Sequence, residues 1–225
     1  MTRILTLAAV ALALAGGWLW WSQGATTPGV TLGSLNAQEA APADTEVDTS
    51  SVEEMSLGAE DAPLTIVEYA SYTFPHCRAF HEEVMPELKA EYIDTGKVRL
   101  VYREVYFDPF GLWASLLARC GGGDERFFAV TDLLYENQAD WLGNGDRAAV
   151  AENLRTLGLT AGLSNEQIDA CMGDEAKARA LVAAYQENAT ADAIDSTPSF
   201  VIDGTKYGNM PWAEMKAILD EELAG

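Results

Sequence analysis

Between residues 112 and 190 the chain offers no convincing strand, yet strand-like runs stand on both sides of that block. Few folds accommodate such an interruption. Ahead of it, Leu64-Thr65-Ile66-Val67-Glu68-Tyr69 is a short β-branched and aromatic run suited to a buried strand. A helical stretch to about Asp94 follows, with Phe80, Val84, Leu88 and Tyr92 recurring on one apolar face. Pro86 is expected to kink it, because proline supplies no amide proton and clashes with the preceding turn. Gly96 ends that helix, and residues 97–104 alternate Val98, Leu100 and Tyr102 against Lys97, Arg99 and Arg103. Strand, crossover helix and strand form a βαβ unit, whose strands are expected to be parallel with a right-handed crossover.

Within the block, helices are expected over 112–120, 127–138, 148–157, 165–172 and 175–188, separated by glycine-rich stretches at 121–123, 143–145 and 158–162. Ser164 with Gln167 fits a capping box. After the block, Ser199-Phe200-Val201-Ile202 resumes strand character, Asp203-Gly204 signals a tight hairpin, and Thr205-Lys206-Tyr207 is the return strand. A closing helix over 211–223 begins at proline. The order β-α-β, helical block, β-β-α predicts an α/β domain with an all-helical insertion. Its first half covers residues 52–111, the insertion 112–190 and the second half 191–225.

Arg3 followed by an apolar run over residues 4–15 reads as an export signal. The run continues into Trp18-Leu19-Trp20-Trp21, giving 18 residues from Ile4 to Trp21, the lower edge of what spans a bilayer. Residues 1–24 are therefore expected to be a cleaved signal peptide or an uncleaved signal anchor. Both place the domain outside the cytoplasm. Residues 25–51, poor in large apolar side chains, read as a flexible acidic linker. Acids dominate throughout: 14 basic against 35 acidic side chains give a net charge of −21. Such a chain is a poor partner for a phosphate backbone, and nucleic-acid binding is excluded.

Export changes how three cysteines are read. In an oxidising compartment an even set implies bridges, and Cys77, Cys120 and Cys171 leave one over. Pro75 follows a strand and opens a helix, with Cys77 two residues on. The free amide protons of a helix N-terminus favour negative charge and depress the pKa of a cysteine placed there. Cys77 lies a turn into the helix, however, and burial would raise its pKa and make it inert. The position that would come first in such a motif, residue 74, is phenylalanine.

Residues 68–77, Glu-Tyr-Ala-Ser-Tyr-Thr-Phe-Pro-His-Cys, resemble the active-site segment of the DsbA-like thiol:disulfide oxidoreductases, whose pattern is Cys-Pro-His-Cys. Ser196-Thr197-Pro198-Ser199-Phe200 resembles that family's cis-proline loop, and the helical block resembles its insertion within a thioredoxin-like fold. The resemblance covers residues 52–225 and implies a periplasmic domain, soluble or tethered to the inner membrane. It implies exchange of disulfides with unfolded or cysteine-containing secreted proteins, a membrane redox partner, and no metal or organic cofactor. By the same resemblance Cys77 is the resolving cysteine, and His76, preceded by Pro75, is the histidine that stabilises the nucleophilic thiolate. Thr197 and Pro198 form the loop that pairs with substrate backbone. Phe74 occupies the nucleophile's position, so the two-cysteine cycle of attack, mixed disulfide and resolution is expected to be impaired. A natural loss of redox function, a one-base codon change and a deliberate trap all account for Phe74. The alternative function on the same fold is a redox-inactive, chaperone-like module that binds peptides.

Pairing Cys120 with Cys171 as a structural disulfide leaves Cys77 as the odd cysteine, consistent with its missing partner. No Cys-x-x-Cys spacing supports a second redox pair. Glu68 is either a proton relay beneath the active helix or an edge residue facing water. Cys77 and His81 are four residues apart, but no third ligand completes a metal site, and His81 is expected to be exposed or capping.

Overall fold

A computed structural model describes residues 47–225; the expected signal segment and most of the expected linker lie outside the described residues. Five strands form one sheet in the order β1-β3-β2-β4-β5. They are β1 (Met55–Leu57), β2 (Leu64–Ala70), β3 (Val98–Glu104), β4 (Ser199–Ile202) and β5 (Thr205–Tyr207). β2 and β3 run parallel from Leu64↔Val98 to Ala70↔Glu104. β1 on β3, β4 on β2 and β5 on β4 are antiparallel. The two parallel strands therefore occupy the middle of the sheet, where both edges of each are paired.

The βαβ unit forms as its sequence predicts. Its crossover begins with α1 (Pro75–Glu83), breaks at Val84, and resumes as α2 (Met85–Leu88) with a π-helical turn over Lys89–Ile93. Pro86, which cannot donate to the carbonyl four residues back, accounts for the break. Phe80, Val84, Leu88 and Tyr92 are all buried, in a core shared with Ile66 and Phe200. The hairpin turn is made by Asp203 and Gly204, both at positive φ (44° and 78°), the pairing that a two-residue turn between antiparallel strands requires.

Six helices lie between β3 and β4: α3 (Pro109–Ala118), α4 (Asp124–Glu136), α5 (Gln138–Leu142), α6 (Arg147–Thr160), α7 (Asn165–Met172) and α8 (Glu175–Ala191). α3 starts before the expected residue 112, because the Asp108 side chain accepts from the Phe110 and Gly111 amides ahead of a first-turn proline. The capping box of Ser164 and Gln167 is present. Gly158, expected to separate two helices, instead lies within α6. A Cβ there would sit 2.8 Å from Ile168 Cδ1 and 2.9 Å from Leu117 Cδ1, so glycine permits the close approach of α6 to α7 and α3. These helices and the upper ends of β2 and β3 enclose a second core, including Tyr72, Tyr102, Phe127, Leu134 and Trp141. Cys120 and Cys171 are joined by a disulfide, with Cα atoms 5.7 Å apart, which ties the end of α3 to α7. α9 (Trp212–Glu222) closes the chain against the first core.

Strand β1 and helix α5 were not foreseen. Thr49 and Ser51, placed in the linker by composition, bond through the Thr49 hydroxyl to Glu187 and through the Ser51 carbonyl to Lys177, both on α8.

Candidate functional site

The site forms where β2 ends and α1 begins. Phe74 is the residue before the helix, extended at φ −96° and ψ 124°, and Pro75 follows in the first turn. A phenyl ring cannot cap, so the helix start relies on backbone: Phe74 O accepts from the amides of Cys77 (3.1 Å) and Arg78 (3.2 Å). Gln138 Nε2, from α5, donates to the carbonyls of Tyr72 (2.8 Å) and Phe74 (3.1 Å). The Thr73 hydroxyl donates to Asp108 Oδ2 at 2.6 Å. The inserted helices thus hold the turn that carries the site. Gln138 and Asp108 were missed from sequence; the Asp-Pro pair opening α3 was the available signal for Asp108.

Cys77 is fully buried. Its sulfur accepts from the Ser71 amide at 3.4 Å and lies 3.2 Å from Thr197 Oγ1. The Thr197 hydroxyl donates to the Tyr69 carbonyl at 2.9 Å, which leaves Oγ1 to accept the thiol proton. The Thr197–Pro198 peptide is cis, and both residues are buried against the cysteine. Burial pushes the Cys77 thiol up to about 12, with the Thr197 and Ser71 hydrogen bonds opposing and the charge of Glu68 adding to the rise. Of the two sequence expectations for this thiol, burial prevails over the helix terminus.

Phe74 is 37% exposed, and its ring lies 5.4 Å from that of Phe107, itself 54% exposed. The His76 ring is 6.4 Å from Phe74, on the exposed side of the helix start. Phe74, His76, Cys77 and the Thr197–Pro198 loop are therefore gathered at one end of the sheet.

Glu68 is wholly buried on β2, which has neighbours on both sides, so it is not an edge residue facing water. His81 is the further correction: it is neither exposed nor capping. Its Nε2 meets Glu68 Oε1 at 3.0 Å, with side-chain exposures of 4% and 0%. Its ring stacks on Tyr135 at a centroid distance of 4.2 Å. The face of α1 that carries Cys77 and Phe80 also carries His81, four residues beyond Cys77, and packs it against β2 and α4. Tyr72 bonds to the Thr131 hydroxyl (2.8 Å) and Tyr102 to the Tyr135 hydroxyl (2.7 Å) around this pair.

The model of the family described as Thioredoxin matches residues 50–221 of this chain. The chain belongs to the thioredoxin family. Within it, the fold is the DsbA-like one, a thioredoxin core carrying inserted helices. It is similar to the crystal structure of Wolbachia pipientis alpha-DsbA1, with a TM-score of 0.71 and 24% identity, over 77% of this chain and 92% of that one. It is similar to a protein-disulfide isomerase from Novosphingobium aromaticivorans, with a TM-score of 0.68 and 29% identity, over 76% and 98%. By sequence it is 33% identical over 171 residues to a Rickettsia bellii protein assigned as a protein-disulfide oxidoreductase, covering 76% of this chain and 64% of that one. This thioredoxin-family chain thus spans less than two thirds of that relative's length.

Proposed function

We propose that this chain is a DsbA-like thiol:disulfide oxidoreductase scaffold, working outside the cytoplasm, whose turnover stops at position 74. One observation carries the reading: the Cys77 thiol is seated between the Ser71 amide and Thr197 Oγ1, beside the cis Thr197–Pro198 peptide. In the two-cysteine cycle, a client thiolate attacks the outer sulfur of a disulfide, and the electron pair of the broken S–S bond leaves on the buried sulfur. The buried sulfur and the peptide-docking loop are both in place. The outer sulfur is not, because Phe74 can neither form nor break an S–S bond. His76 then has no thiolate to stabilise, and Cys77, its pKa raised by burial, keeps its proton.

The expected clients are unfolded secreted proteins with cysteines, paired along the Thr197–Pro198 loop, and the expected oxidant or reductant is a membrane redox partner. The N-terminal apolar segment delivers or tethers the domain to the periplasmic side of the inner membrane. With a cysteine at position 74, the carboxylate of Glu68, wholly buried on β2 beneath α1, is the group that would take up the proton of Cys77. No metal or organic cofactor takes part.

A second reading has its own observation. Phe74 and Phe107 form an exposed aromatic pair near the docking loop, suited to a redox-silent module that holds apolar segments of unfolded chains. The unaltered chain, Phe74→Cys and Phe74→Ser, compared in dithiol oxidation and in suppression of aggregation, separate the two. Oxidase activity gained only by Phe74→Cys supports the scaffold reading. Suppression by the unaltered chain that is lost in Phe74→Ser supports the second.

A further inference from the structure

A client strand that pairs along Thr197–Pro198 needs that loop at a fixed place over Cys77. The loop runs from Asp192, just past α8, to Pro198, just before β4, and Asp195 and Ser196 within it are exposed. Its far end is fastened at Tyr69: the Thr197 hydroxyl donates to the Tyr69 carbonyl at 2.9 Å, and Ser199 pairs with Tyr69 across the sheet. The near end is fastened at the side chain of the same tyrosine.

Sheet register puts Arg103 on β3, Tyr69 on β2 and Ser199 on β4 in one row. Tyr69 is wholly buried, and its hydroxyl donates to Asp192 Oδ2, with the Asn188 carbonyl 3.2 Å away. Arg103 Nη1 donates to the Tyr69 hydroxyl at 2.7 Å and to Asp192 Oδ2 at 3.1 Å. Carboxylate, phenol and guanidinium therefore meet in a closed set of three contacts where the chain leaves α8. The next residue, Ala193, stands at φ 52°, in the left-handed region that an alanine occupies only when its surroundings hold it there. From the other side, Lys206 Nζ donates to the Ala193 carbonyl at 2.8 Å and to Asp195 at 3.1 Å. Tyr69 thus grips both ends of the docking loop, Thr197 with its carbonyl and Asp192 with its hydroxyl. A displacement at Asp192 reaches Thr197 through one residue.

We propose that Asp192, clasped by Tyr69 and Arg103, is the positioning residue that sets the Thr197–Pro198 loop for a client peptide. The inference rests on the oxidoreductase reading. Asp192 bonds to Tyr69, Arg103 and the Asn188 carbonyl and not to Cys77, so its role is in peptide docking and not in the sulfur chemistry. A small dithiol, which has no backbone to pair with the loop, is expected to react without it.

The test is turnover by Phe74→Cys with glutathione disulfide as oxidant, alone and with Asp192→Ala or Asp192→Asn. Two substrates are compared, a reduced peptide with two cysteines and dithiothreitol. Phe74→Cys/Asp192→Ala is expected to raise KM for the peptide about tenfold at unchanged kcat, as loss of a binding contact does, and to leave the rate with dithiothreitol unchanged. Asparagine keeps an acceptor oxygen for both donors, so Phe74→Cys/Asp192→Asn is expected to stay close to Phe74→Cys. An unchanged peptide KM in the alanine variant, an equal slowing with dithiothreitol, or the same loss in the asparagine variant overturns the assignment. Should Phe74→Cys oxidise neither substrate, the oxidoreductase reading fails instead. The clasp is then decided in the unaltered chain, whose free thiol, Cys77, lies against Thr197. Asp192→Ala is expected to speed labelling of Cys77 by iodoacetamide about tenfold as the loop loosens, and an unchanged rate overturns the assignment.

Discussion

The Cys77 thiol donates to Thr197 Oγ1 across 3.2 Å, because the Thr197 hydroxyl has already given its own proton to the Tyr69 carbonyl 2.9 Å away. With the Ser71 amide donating to the sulfur, the neutral thiol has both a donor and an acceptor. A thiolate would have to draw the Thr197 proton away from Tyr69 or forgo one of its stabilising bonds. Both hydrogen bonds oppose the rise in the Cys77 pKa, and burial outweighs them, keeping the thiol protonated.

Thr197→Val removes both roles at once, leaving the thiol without its acceptor and the Tyr69 carbonyl without this donor. The expected cost is about 1–3 kcal/mol of stability, measured by urea denaturation. Thr197→Ser, which keeps the hydroxyl, is expected to cost less.

Stability should fall in alkali, partly because of Cys77. Its folded pKa is raised to about 12, first by burial, whereas an unfolded cysteine titrates near 8.5. The unfolded chain thus loses this proton earlier than the folded one. The contribution is complete below about pH 8.5 and is lost as pH rises toward 12, reaching a few kcal/mol at the upper end on the order of 1.4 kcal/mol per unit. Cys77→Ala should flatten the decline between about pH 8.5 and 10, below the ordinary tyrosine range. Equal pH dependence of the denaturation midpoints in the two proteins would contradict the assignment.

Gln138→Ala releases the carbonyls of Tyr72 and Phe74 from the inserted helices. We expect a loss of about 1–3 kcal/mol and faster hydrogen exchange at the Cys77 and Arg78 amides, which bond to the Phe74 carbonyl. Unchanged exchange there would mean that the turn holds itself.

The Cys120–Cys171 disulfide closes a loop with a sequence separation of 51. Replacing both cysteines by alanine is expected to lower stability by about 2–4 kcal/mol, read from chemical denaturation of the two proteins.

Local signals made much of this fold legible. Alternation marks β3, the Asp203-Gly204 pair marks the hairpin, and Pro86 marks the break between α1 and α2. β1 has three residues, too short for a period, and exists because the outer edge of β3 offers backbone partners. α5, with five residues, is equally silent in sequence, although it supplies Gln138. Gly158 resembles a helix stop until the contacts of α6 with Ile168 and Leu117 are known. At the site, Cys77, Thr197 and Pro198 follow from motif resemblance. The partnership of Glu68 with His81 does not, since it joins residues 13 apart through the packing of α1 on β2. No pattern within either element announces it.

The central claim is that one missing sulfur separates this chain from an active thiol:disulfide oxidoreductase. Its most direct test is the transfer of a disulfide to a reduced dithiol peptide by Phe74→Cys after oxidation with glutathione disulfide, with the unaltered chain treated in parallel. The account predicts one equivalent of peptide disulfide per molecule of Phe74→Cys and none from the unaltered chain. A correctly folded Phe74→Cys that forms its disulfide but transfers nothing, or equal transfer by the unaltered chain, would contradict it.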